Sequence, residues 1–116
     1  VNTDWAAENP ELVTGFLTAV AAGWTDAIAD PAAATASLIE RNPAADAELE
    51  EWRLQLAIDA NVMTDAVAAN GFGVIDDARF ASSIEQIGTV YEFQTAPDAA
   101  LYFTDAYLPE GGFALQ

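Results

Sequence analysis

Two prolines do most to restrict how this chain folds, because each follows a residue of a type that favours a helix N-cap and opens a stretch with helical apolar spacing. Asn9-Pro10-Glu11 and Asp30-Pro31 place a capping side chain before a proline in the first helical turn, where the missing N–H has no intrahelical partner to lose. After Pro10, the residues Val13, Phe16, Leu17, Val20, Trp24 and Ile28 recur at helical spacing and predict a helix from about Pro10 to Ala29. After Pro31, Ala34, Leu38 and Ile39 predict a shorter helix that ends near Asn42, before Pro43. The two helices then meet with almost no linker.

From Asp46 to about Ala69 the pattern predicts one long helix with two apolar stripes. Leu49, Trp52, Leu56, Met63 and Val67 form one, and Leu54, Ile58 and Val62 form the other, so burial is expected on two sides. Asn70-Gly71 supplies the left-handed residue that stops a helix. A further helix is expected after Asp76, with Phe80, Ile84, Ile87 and Tyr91 on one face and Asp77, Ser83 and Glu85 facing water. Residues 92–98 read as a loop, followed by a short aromatic-rich segment through Tyr107 and Leu108. The expected organisation is mainly α, with four to five helices in one helical domain over residues 1–109. Residues 110–116 are expected as a flexible tail.

Composition supports helices and narrows function. The chain has 116 residues, 53% of them apolar, and is rich in alanine, the strongest helix former. Nineteen acidic residues oppose three arginines, Arg41, Arg53 and Arg79, for a net charge of −16. That field repels phosphate backbones and anionic lipid surfaces, so nucleic acid is not expected as a partner. Dense carboxylates are read as a hydrated surface whose self-repulsion salt screens. No apolar run is expected to reach membrane-spanning length, and Val1 to Trp5 lack the basic start and apolar core of a signal peptide.

The chemistry available is limited. There is no histidine, cysteine or lysine, which removes the usual general bases, the thiol nucleophile and thiolate metal sites. A two-carboxylate hydrolase would have Glu48, Glu51 or Asp59 as nominees, but Glu48, Glu51 and Gln55 share the polar face of a helix and read as a solvated surface. Asp76-Asp77 lacks the alternating ligands and glycine of a calcium loop, and Asp76 reads as an N-cap. Gly71-Phe72-Gly73 has no following lysine and reads as a helix stop, not a phosphate loop. Trp24 and Trp52 lie at helical spacing and read as core, while Trp5 and Tyr102 lie outside strong periodic runs. No catalytic residue, metal site or cofactor is therefore assigned.

The ordered signals resemble the C-terminal part of the periplasmic substrate-binding proteins of ABC importers for nitrate, sulfonate, taurine and thiamine-pyrimidine precursors. The resemblance rests on Asn9-Pro10-Glu11-Leu12-Val13, Phe16-Leu17-Thr18-Ala19-Val20, Gly23-Trp24 and Asp30-Pro31-Ala32-Ala33-Ala34. It continues with Gly71-Phe72-Gly73-Val74-Ile75-Asp76, Ile87-Gly88 and Phe103-Thr104-Asp105-Ala106-Tyr107-Leu108-Pro109. It implies the helical part of a type 2, two-lobed α/β binding fold that captures a small solute and passes it to an ABC permease.

The same resemblance implies a bacterial protein that is periplasmic or lipid-anchored outside the cytoplasm, and no enzyme. The ligand contacts of such proteins come mostly from regions upstream of this segment, so no ligand-binding residue is assigned. The chain is shorter than the family pattern and is expected to be a fragment of a longer protein whose upstream lobe it contacts. Its uncovered apolar faces are expected to drive self-association. The competing reading is a helical protein–protein interaction or assembly domain, resting on the amphipathic helices alone.

Overall fold

The computed structural model describes residues 1–115. They form six α-helices: α1 (Thr3–Glu8), α2 (Pro10–Ala29), α3 (Pro31–Arg41), α4 (Ala47–Ala57), α5 (Asp65–Asn70) and α6 (Asp77–Gly88). A five-residue π turn, Ile58–Val62, follows α4, and a 3₁₀ turn, Ala99–Leu101, follows α6. The protein is mainly helical, and no strand occurs among the described residues.

The helix starts obey the expected capping chemistry. The Asp30 side chain accepts a hydrogen bond from the Ala33 N–H at 3.0 Å, and Asp76 accepts from the Arg79 N–H at 2.7 Å. Asp46 caps α4 in the same way through the Leu49 N–H at 2.9 Å. Each satisfies a backbone donor that the first helical turn leaves without a partner. Asn9 precedes Pro10 but makes no side-chain cap; its amide instead donates backwards to the Trp5 carbonyl at the end of α1.

The helix count exceeds four to five for two reasons. The six-residue α1 is too short to carry a periodic signal, and it is fixed by Asn2, whose side chain accepts from the Trp5 N–H at 2.9 Å. The long helix expected from Asp46 to Ala69 is broken. The Met63 N–H reaches the Ile58 carbonyl at 2.7 Å in the wider π register, and Thr64 then caps α5 by accepting from the Val67 N–H at 3.2 Å. A hydroxyl able to cap competes with continued helix, and no proline or glycine is needed for such a break.

The core is small. Ala21, Val62 and Leu115 form its buried cluster, with Trp24, Ile28, Phe72 and Phe113 packed around them. Trp24 and Phe72 meet edge to face with ring centroids 6.5 Å apart. Of the two stripes expected in residues 46–69, the one containing Ile58 and Val62 is buried. In the other, Leu49, Trp52, Leu56 and Met63 stay exposed. Reading Trp52 as core is therefore corrected: it is 61% exposed, because α4 packs against α3 on one side only.

Residues 110–115 are also not the expected tail. Phe113 and Phe72 exchange backbone hydrogen bonds, and Leu115 is buried in the core. The tight turn at Gly111 and Gly112, both at positive φ, brings this segment back onto Gly71. Gln116 lies outside the described residues.

Helix α2 is, by length and composition alone, long and apolar enough to cross a membrane, contrary to the expectation for the sequence. Its 20 residues span about 30 Å at the α-helical rise. Glu11 and Asp26 stand near its ends, and Ala21, Trp24 and Ile28 pack into the core described above.

Candidate functional site

The acidic residues considered for catalysis do not converge. Glu48 and Glu51 lie exposed on α4. Asp59 lies in the π turn, where its carboxylate accepts from the Gln55 amide at 2.9 Å. This is a polar helix margin open to solvent, without the enclosed, differently solvated pair that acid–base hydrolysis needs. Asp76 serves as the cap of α6, and Gly71 ends α5 at φ +86° with its N–H on the Val67 carbonyl at 2.8 Å. No cluster of acidic groups suited to a metal ion occurs among the described residues.

Of several shallow concavities, the two with the most apolar linings are the candidates. The first lies between α3 and α4, has a volume of about 320 Å³ and is lined by Ala34, Thr35, Leu38, Glu50, Arg53 and Leu54. Arg53 and Glu50 form an ion pair at 2.9 Å beside it. Thr35 is 4% exposed, and its hydroxyl oxygen has no hydrogen-bond partner and almost no accessible surface. That oxygen is closed off from solvent.

The second concavity, of about 280 Å³, is lined by Phe80, Ile84, Ile87, Phe93, Pro97 and Tyr102. Phe80 also meets Phe103 edge to face at 6.4 Å. Its lining is almost wholly apolar, so it offers shape and hydrophobic contact with few groups to orient a polar solute. The sequence placed Phe80, Ile84 and Ile87 on one helix face. It did not show that the loop carrying Phe93 and Pro97 folds over that face, since residues 92–98 have no periodicity.

Neither groove is a deep cleft of the kind that encloses a solute. Apolar rows also run along the outer sides of α2 and α4. Leu12, Phe16 and Val20 are exposed along α2, and Leu49, Trp52 and Leu56 along α4.

Residues 1–34 match the family model described as NMT1/THI5 like. The match spans α1, α2 and the first turn of α3, less than a third of the chain. It contains Asn9–Val13, Phe16–Val20, Gly23-Trp24 and Asp30–Ala34, four of the segments on which the resemblance noted above rests. The later segments, from Gly71 to Pro109, lie outside it. No curated protein and no solved structure matches the chain.

Proposed function

We propose that this chain is a helical part of a small-molecule-binding protein of the NMT1/THI5-like type, acting outside the cytoplasm in ABC import. The family match over residues 1–34 carries this reading. It is supported by how little the helices bury. The accessible surface is 8731 Å², against about 6,100 Å² for a compact monomer of this mass. The radius of gyration is 17.3 Å, against about 13 Å for a compact domain of this length.

The excess surface has a physical meaning. Amphipathic helices are stable when their apolar rows are covered, and Leu12, Phe16 and Val20 on α2 are uncovered here. Covering such a surface is the role of an upstream α/β lobe in the proposed whole protein, where these helices act as a supporting layer and not as the solute contacts. A pair of isolated chains that buries about 800 Å² on each partner covers only part of the excess. Self-association therefore substitutes incompletely for that lobe. No enzymatic step is assigned.

The test uses the protein encoded by the gene that contains this chain. Its expression, followed by thermal-shift screening with nitrate, alkyl sulfonates and pyrimidines, should give a saturable increase in melting temperature for one solute class. A reading frame that begins at Val1 and a chain that binds none of these solutes would overturn the proposal and favour the assembly-domain reading.

A further inference from the structure

Helix α4 turns one apolar row outward. Leu49, Trp52 and Leu56 follow one another at spacings of three and four residues and are 44%, 61% and 51% exposed. The opposite side of the helix is occupied, since Glu50, Arg53 and Leu54 face the groove against α3. The row is thus a helix face without a partner.

One margin of this row is acidic. Helical geometry places Glu48, Glu51 and Gln55 along the same side of it, and Asp59 joins that margin by accepting from the Gln55 amide. Shallow concavities flank the Trp52 side chain, one formed with Glu48, Glu51 and Gln55, the other with Asp46, Glu48 and Leu49. The ion pair seen among the described residues, Arg53 with Glu50, lies on the margin facing α3 and leaves Glu48 and Glu51 without a cation.

Charge decides what fits there. A second copy of this chain carries the same net −16 and would set carboxylates against carboxylates. A neutral apolar partner would strip water from Glu48 and Glu51 and return no counter-charge. A cationic side chain resolves both problems, because an indole face attracts a guanidinium or ammonium and the flanking carboxylates accept its hydrogen bonds.

We propose that the outer face of α4 docks a basic protein segment, with an arginine or lysine lying over Trp52 between Glu48 and Glu51 and an aliphatic side chain covering Leu49 and Leu56. This proposal rests on charge and on the exposure of this face in the chain as it stands.

The test is a titration of the whole chain with a labelled amphipathic peptide of alternating leucine and arginine, followed by anisotropy, beside its twin with glutamate for arginine. The basic peptide should bind, weaken as salt rises and outcompete the acidic twin. The exposed-site variants Trp52→Leu and E48Q/E51Q should each lower affinity by about tenfold. The charge-matched control E8Q/E11Q should leave it nearly unchanged. Equal weakening by that control would assign the binding to net charge and overturn the proposal. So would equal binding of the acidic twin, or a dimer of this chain that Trp52→Leu dissociates.

Discussion

Phe72 and Phe113, 41 positions apart, exchange two backbone hydrogen bonds: the Phe72 N–H donates to the Phe113 carbonyl at 2.8 Å, and the Phe113 N–H donates to the Phe72 carbonyl at 2.9 Å. This isolated antiparallel bridge ties the end of the chain to the turn after α5 and brings Leu115 beside Ala21 and Val62. It makes the last described residues part of the core, and the core is small enough that each member matters.

Leu115→Ala should therefore lower stability by about 2 to 3 kcal/mol, from lost burial plus the space left behind. Leu101→Ala, at a side chain 79% exposed, should change it by no more than about 0.5 kcal/mol. Urea denaturation of both variants checks the contrast. Equal small effects would mean that the terminal segment does not contribute to the core.

The two glycines that meet at this bridge should respond differently to alanine. Gly111 sits at φ +77° with open space where a Cβ would go, so Gly111→Ala should cost about 1 kcal/mol, the left-handed backbone cost alone. Gly71 sits at φ +86°, and its Cβ would collide with the Gly111 carbonyl. Gly71→Ala should cost at least about 2 kcal/mol and lower the melting temperature further than Gly111→Ala.

Thr35→Val should stabilise the protein. The Thr35 hydroxyl is buried between α3 and α4 without a partner, and valine has nearly the same shape with no polar group to satisfy. A gain of about 1 kcal/mol in chemical denaturation is expected. A loss of stability on this substitution would show that the hydroxyl has a hydrogen-bond partner in solution.

The self-association proposed for the isolated chain should depend on α2. Phe16, 68% exposed, and Leu12, 61% exposed, lie one helical turn apart on its outer face. Sedimentation velocity should show an associated species that strengthens with salt, because salt screens repulsion between chains of net charge −16. Phe16→Glu should shift it to monomer. An assembly that weakens with salt, or that ignores Phe16→Glu, would place the contact elsewhere.

The spacing of proline, capping residues and apolar side chains determined most of the helical layout. Helices α2 and α3 begin at Pro10 and Pro31 as expected, and α6 follows its Asp76 cap, because helix starts are local events governed by backbone donors and the residue just before them. The absence of histidine, cysteine and lysine likewise restricts the available chemistry by composition alone.

Tertiary structure decided what local spacing does not encode. Periodicity marks Trp24 and Trp52 alike, yet Trp24 packs into the core and Trp52 faces outward, because only one side of α4 meets α3. The break after Ile58 and the return of Phe113 onto Phe72 depend on competing hydrogen bonds and on contacts between distant parts of the chain. A sequence pattern says that a face is apolar; which neighbour covers it, or whether it stays bare, follows only from how the helices pack.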